Sequence, residues 1–230
     1  MKKLLKKLIL NYFTAKLFIK PLLKAHSFCY KWSGLYAGIL NKGIHPKHDI
    51  MKYKEWFQSN IEQGWTILDV GCNTGLMPVV LAQKAMFVYG IEKNRELITV
   101  AEKNNLRSNI KYICADATSF DYSSCKPIDC ITMSNVLEHI EHRVVFLENL
   151  IKNVKWSDSN HKRFLFRVPM IEREWIVLYK KELGLEYRLD PTHYIEYTFL
   201  QFKKELEQAG VLIKKADIRF GEIYAICEAI

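Results

Sequence analysis

A handful of short stretches hold the residues whose types and spacing could do chemistry. Asp69-Val70-Gly71-Cys72-Asn73-Thr74-Gly75 follows a short apolar run, and glycines in such a turn let a ligand approach the backbone before the next helix begins. Glu92 stands 17 residues beyond Gly75, at the end of Val88-Tyr89-Gly90-Ile91, where a carboxylate can accept both hydroxyls of a ribose. Asp116 follows Ile113-Cys114-Ala115, and Glu138-His139 follows Val136-Leu137. An imidazole, with an ordinary pKa of about 6.5, can take a hydroxyl proton. His193 sits in Asp190-Pro191-Thr192-His193-Tyr194 and has the same capacity.

From Trp65 onward the chain alternates strand, turn and helix, and that alternation is what would bring these residues together. Candidate strands are Thr66 to Val70, Phe87 to Ile91, Lys111 to Cys114, Ile128 to Met133 and Arg163 to Val168, with helices clearest at Leu76 to Lys84 and Arg95 to Asn105. The pattern predicts a doubly wound α/β fold with a parallel sheet, whose ligands bind at the carboxyl ends of the strands. Thr198-Phe199-Leu200-Gln201 reads as a capping box that opens a helix ending at Gly210, and Val211 to Ile213 with Ile223 to Cys227 complete the sheet. Between the fifth strand and that capping box, Trp175, Tyr179, Tyr187, Tyr194 and Tyr197 form an aromatic-rich insertion where a substrate lid would stand.

A nicotinamide-type G-x-G-x-x-G would need glycines at 71, 73 and 76, but Asn73 and Leu76 occupy two of those positions. Ile67-Leu68-Asp69-Val70-Gly71-Cys72-Asn73-Thr74-Gly75 instead resembles the first motif of class I S-adenosylmethionine-dependent methyltransferases, with Asn73 for the middle glycine. The resemblance covers about residues 60 to 230. It implies a Rossmann-like seven-stranded sheet, mostly parallel with the last strand antiparallel, and S-adenosyl-L-methionine as cofactor. It further implies that Asp69, Gly71, Cys72, Asn73 and Gly75 form the cofactor turn, that Glu92 with Lys93 meets the ribose, and that Asp116 and Ala117 meet the adenine. Ser134 and Asn135 would line the methionine end. Val136-Leu137-Glu138-His139-Ile140 is similar to a stretch found in members acting on small molecules, sugars and quinone precursors. The catalytic candidates are therefore His193, His139 and Glu138. Some relatives place E-x-x-E-H here for a divalent ion, but Asn135 replaces the first glutamate, so no metal is expected.

The net charge of +9 is localised. Residues 1 to 48 carry ten lysines and no acid, whereas the rest of the chain sets 24 basic residues against 25 acids. Met1 to Lys24 reads as an amphipathic helix with Leu4, Leu5, Leu8, Tyr12 and Ile19 on one side and Lys2, Lys3, Lys6, Lys7 and Lys20 opposite, closed or kinked at Pro21. Gly34, Gly38, Gly43 and Pro46 mark a turn-rich connection to a short helix that buries Tyr53, Trp56 and Phe57. The chain thus divides into a basic helical extension, 1–60, and a methyltransferase domain, 61–230.

The longest uncharged run before Lys16 is far shorter than the roughly 20 residues a membrane span needs. Residues 1–24 suit the surface of an anionic membrane instead. Nucleic acid is not expected, because no arginine or stacking aromatic set accompanies the lysines. Six cysteines without a C-x-x-C pair indicate reduced thiols in a cytoplasmic protein, peripheral on the inner membrane face. The expected activity is O-methylation of a sugar, glycan or lipid-linked intermediate. An RNA methyltransferase and a non-catalytic module that kept the fold are the alternatives.

Overall fold

The computed structural model describes residues 11–230. Leu4, Leu5, Leu8 and the lysines at 2, 3, 6 and 7, on which much of the N-terminal amphipathic reading rests, lie outside the described residues. By contacts the chain forms two compact units. One takes in the chain up to Met51 together with Trp175–Tyr187, and the other comprises Lys52–Glu174 with Arg188–Ile230.

The first unit is built on α1, Tyr12–Leu40, and also contains α2, Pro46–Met51. Asn11 and Thr14 cap α1 reciprocally. Pro21 neither closes the helix nor do Gly34 and Gly38 open a connection, contrary to the sequence expectation: all three lie inside α1. A proline removes only its own N–H bond, and the Leu, Lys and Ala around it are strong helix formers that carry the ladder across. Leu23 is buried, and Lys180 donates to the Ser27 hydroxyl at 2.7 Å. Lys180 belongs to the helix Trp175–Glu182, so this stretch, expected as part of the lid, groups with α1.

The second unit is the sheet. In chain order it holds α3 (Tyr53–Ser59), β1 (Thr66–Val70), α4 (Leu76–Leu81), β2 (Phe87–Glu92), α5 (Arg95–Asn105), β3 (Ile110–Cys114) and β4 (Cys130–Ser134). After these come α6 (Arg143–Asn153), β5 (Lys162–Pro169), then, beyond the Trp175–Glu182 helix, which is α7, α8 (Phe199–Gln208), β6 (Val211–Arg219) and β7 (Glu222–Ala229). The strand order is β3-β2-β1-β4-β5-β7-β6, with β7 antiparallel to both neighbours and the β1 to β5 pairings parallel. This is the Rossmann-like architecture expected, seven strands with the last one reversed.

Both faces of the sheet are covered, which is why β1 is buried at every position rather than at alternate ones. Ile67 joins one cluster with Phe57, Leu81, Val88 and Leu165; Leu68 and Val70 join the other with Phe146, Phe164, Phe166 and Phe202. Thr198 and Gln201 form the expected capping box at α8. Tyr197 is not a lid aromatic: it is 1% exposed, packs on Phe202 and bonds Glu205 at 3.0 Å.

A buried ion pair ties β5 to β7. Arg167 Nε donates to Glu222 at 2.6 Å, both side chains are 4% exposed, and the guanidinium lies 4.2 Å from the Tyr53 ring centre. Removing one partner leaves a buried charge uncompensated. Glu222→Ala is expected to cost about 3–5 kcal/mol in urea unfolding, and Glu222→Gln distinctly less because it keeps a hydrogen-bond acceptor.

Candidate functional site

The carboxyl ends of β1, β2, β3 and β4 gather the acidic and turn residues singled out in the sequence. β1 ends in a backbone reversal with φ of +72° at Gly71, +50° at Asn73 and +82° at Gly75. A Cβ on Gly71 would lie 2.5 Å from Val136 Cγ2, and one on Gly75 would strike the Tyr112 hydroxyl. Asn73 holds its own left-handed conformation, its side-chain oxygen accepting the Thr74 N–H at 2.7 Å. The Cys72 side chain is turned inward against Gly90, and burial pushes its thiol up, so only its backbone faces the turn.

Asp69 is also directed inward. It is 2% exposed and receives the hydroxyl of Thr132, its register partner on β4, at 2.6 Å. Burial raises its pKa to about 7, with Glu92 adding to the rise and the Thr132 bond opposing it. Glu92, by contrast, is half-buried at the end of β2, accepting the N–H groups of Asn94 at 3.0 Å and Asn73 at 3.3 Å. Lys93 beside it is exposed. Asp116 is exposed beyond β3; hydrogen bonds from the Thr118 hydroxyl and N–H hold its carboxyl below the usual range. Ala117 gives its carbonyl to Tyr122 at 2.7 Å, and its N–H is not so used. These groups fit a nucleoside-bearing ligand: Glu92 and Asp116 place carboxyl acceptors at adjacent strand ends, and the glycine turn brings bare backbone between them.

Past β4, Ser134 receives Arg167 Nη1 at 3.2 Å, and Asn135 adopts φ +57° with its side-chain oxygen buried and without a partner among the described residues. The following turn, Leu137–His139, meets the segment 190–196 across more than fifty residues of sequence. Glu138, His139 and His193 come together here, with ligand atoms all within 4.8 Å of one another, and the two imidazoles stack edge to face at 4.6 Å. Glu141 and His142, the neighbouring repeat of the pair, are exposed.

Each histidine has one ring nitrogen committed. Thr192 Oγ1 donates to Asp190 at 2.7 Å, and Asp190 is held ionised by the backbone and hydroxyl bonds from Thr192. The single Thr192 proton being used, its oxygen accepts from His139 Nδ1–H at 2.9 Å, which leaves Nε2 of His139 as the acceptor. Burial lowers the His139 pKa and the adjacent His193 lowers it further, so the ring is neutral at pH 7. His193 is 6% exposed, with Nδ1 3.2 Å from Glu196. Burial works against ionisation of Glu196, but bonds from His193, the Leu189 N–H and Arg173 outweigh it and keep it a carboxylate.

Glu138 has no such support. It is fully buried, neither carboxylate oxygen has a hydrogen-bond partner among the described residues, and burial raises its pKa to about 8. A divalent cation is one thing this set could hold. One carboxylate and two imidazoles suit a transition metal, and each imidazole already gives its other nitrogen to a supporting acceptor. The sequence reading missed Thr192, Asp190 and Glu196 as partners, although all three stand within three residues of His193 in the chain.

Comparisons with known proteins find methyltransferases. Residues 68–155 match the family model described as "Methyltransferase domain". N-methyltransferase 4 of Papaver somniferum is 31% identical over 122 residues, covering 50% of this chain and 33% of that protein. A ubiquinone biosynthesis O-methyltransferase of Paraburkholderia phytofirmans is 24% identical over 200 residues, 81% of this chain and 79% of that protein. The chain spans about a third of the length of the first curated relatives it matches. Among solved structures, magnesium protoporphyrin IX methyltransferase from Synechocystis with bound SAH superposes with a TM-score of 0.58 at 17% identity, covering 83% of this chain and 87% of that one.

The Asp69 environment yields a measurable pH dependence. A carboxyl whose folded pKa is raised from 3.8 to about 7 keeps its proton in the native state while the unfolded chain has lost it. Stability therefore falls as pH rises from about 4 to about 7, by up to about 1.4 kcal/mol per pH unit. Asp69→Asn is expected to flatten that decline in urea unfolding at pH 5 and pH 7.5.

Proposed function

We propose that this chain, whose residues 68–155 match a methyltransferase domain, is a class I S-adenosylmethionine-dependent enzyme that methylates a hydroxyl oxygen of a small-molecule acceptor. S-adenosyl-L-methionine, when bound, supplies the methyl on a sulfonium sulfur, so transfer is an in-line displacement. The protein's tasks are alignment and the removal of one proton. Glu92 accepts the ribose hydroxyls, Lys93 flanks it, and Asp116 with the Ala117 N–H meets the adenine. The backbone of Gly71, Cys72, Asn73 and Gly75 lies along the cofactor, which Asp69 supports from within the sheet, and Ser134 and Asn135 border its methionine end.

The observation that carries the reading is the state of His139. It is neutral, its Nδ1 proton is committed to Thr192 and Asp190, and its Nε2 is left to take the acceptor's proton as the oxygen gains the methyl. His193, more deeply buried and fixed by Glu196, positions that ring by edge-to-face contact. The acceptor we favour is a sugar, glycan or lipid-linked intermediate in polysaccharide assembly, met on the cytoplasmic side of an anionic membrane. Its support is the lysine-rich start of the chain and an alignment over most of the length of an O-methyltransferase.

His139→Ala is expected to lower kcat by roughly 100- to 10,000-fold while leaving S-adenosylmethionine affinity in calorimetry unchanged. Glu92→Ala should do the reverse, weakening the cofactor first. Incubating extracts with the protein and methyl-labelled cofactor, then finding by mass spectrometry which compound gains the label, identifies the acceptor. Label on RNA or on an amine nitrogen alone would reject the hydroxyl reading.

A divalent cation is a second reading, favoured by the unpartnered Glu138 carboxylate. Glu138, His139 and His193 would hold it, and it would lower the pKa of an acceptor hydroxyl. Titration with manganese followed by electron paramagnetic resonance separates the two. Binding that His193→Ala abolishes supports the cation, whereas no binding and full activity in chelator leave His139 as the base.

A further inference from the structure

Helix α1 has two apolar faces, and only one of them is buried. At 100° per residue, Ile19, Leu23, Ser27, Gly34 and Gly38 share one side, where Leu23 is 4% exposed and the others are partly covered. On the opposite side lie Leu17, Phe18, Phe28, Trp32, Leu35, Tyr36 and Ile39, each 43–70% exposed. Trp32 stands 5.9 Å from both Phe28 and Tyr36, ring centre to ring centre, so these aromatics form a continuous stripe along the helix. The sequence reading, drawn over residues 1–24, put the working apolar face with Tyr12 and Ile19; within the described residues Ile19 belongs to the covered side.

Lys24 and Lys31 fall on the flank between the covered side and the aromatic stripe, and Lys20 and Lys16, both exposed, continue the lysine sector back onto the covered side. No acid occurs anywhere in residues 1 to 48. We infer that the stripe from Leu17 to Ile39 is a docking surface for an anionic lipid membrane, on which α1 lies flat. Aromatic rings enter the headgroup boundary while lysine stems run along the apolar surface and leave their ammonium groups at the phosphates. At roughly 1.5 Å per residue the stripe is about 33 Å long, ample for such a contact. Among the described residues no helix is long and apolar enough to cross a membrane, which agrees with lying on one.

A second copy of the chain is the competing occupant, since Phe18, Ala25, Trp32 and Ile39 recur every seven residues. Two copies packed on that seam would set Lys24 and Lys31 of each copy beside it with no acid on either helix to pair them. The exposed sector, about 100° wide, is also broader than a two-residue seam. Charge complementarity selects the anionic surface.

The inference deepens the proposal of a lipid-linked acceptor, yet it stands on α1 alone and is tested without turnover. The full chain is sedimented with vesicles of phosphatidylglycerol and phosphatidylcholine, and with phosphatidylcholine alone. Binding to the anionic vesicles is expected, weakened by on the order of a hundredfold in the triple variant Phe28→Ser, Trp32→Ser, Leu35→Ser and made less salt-sensitive by replacing Lys16, Lys20, Lys24 and Lys31 with glutamine. Leu106→Ser, at an exposed apolar site outside α1, should bind as the parent does. S-adenosylmethionine affinity, measured on the same variants, should be unchanged, so a failed cofactor site and a failed membrane face give different results. Equal sedimentation of the triple variant, no binding by the parent, or a stable parent dimer that the triple variant makes monomeric would each overturn the inference.

Discussion

The reversal at the end of β1 is the constraint on which the rest of the sheet unit depends. Three left-handed residues within five turn the chain from a buried strand into α4, and two of them have no room for a side chain. Val136 fills the space beside Gly71 and Tyr112 the space beside Gly75, so the loop after β4 and the strand β3 are both packed against bare backbone. β1 lies between β2 and β4 in the sheet, and any thickening of its turn would displace both the Glu92 end and the 134–139 turn. Asn73 meets the same requirement by another route, its amide oxygen satisfying the next N–H and so offsetting part of the cost of its positive φ.

Around that turn the fold sets the state of each carboxyl by how many donors reach it, not by its distance from water alone. Asp116 and Asp190, exposed and each holding two hydrogen bonds from one threonine, are fixed as anions. Glu196 is buried yet remains an anion because a histidine, a backbone N–H and an arginine converge on it. Asp69 has one donor and Glu138 none, and both are pushed toward the protonated form. The histidines inherit their roles from this pattern. Anionic Asp190, through Thr192, takes the Nδ1 proton of His139 and leaves its Nε2 as an acceptor, while anionic Glu196 holds Nδ1 of His193.

The sheet was legible because its signals are local. Apolar runs bounded by turns mark β1 at its observed ends, and periodicity marks α5 likewise, while the three apolar residues that mark β6 are only its start: an exposed, charged continuation extends the strand to nine residues, eight of them in register with β7. The breaker residues of α1 misled for a related reason. Proline and glycine weaken a helix locally, but the ladder on both sides and the cover over Leu23 outweigh one missing bond. In the site, His139 and His193 could be picked out singly from their segments. Their meeting could not, since it depends on a hydrogen bond between residues 53 apart in the chain. Tyr197 shows the converse error, an aromatic in an aromatic-rich stretch that is core rather than lid because Glu205 satisfies its hydroxyl inside.

Charge is segregated from chemistry in this chain. The 182 residues from Asp49 onward hold 24 basic groups and 25 acids, so the unit bearing the cofactor turn and the histidine pair has no field to attract a polyanion. A reader of RNA needs basic groups lining the site itself, because phosphate neutralisation supplies most of its affinity. Here the acids Glu92, Asp116 and Asp190 at the candidate site stand with few cations, Lys93 and the Glu222-paired Arg167, and the lysine excess is confined to the segment before Asp49. An acceptor of little charge at the site, presented from a surface whose charge is met by a different part of the chain, is what that separation fits.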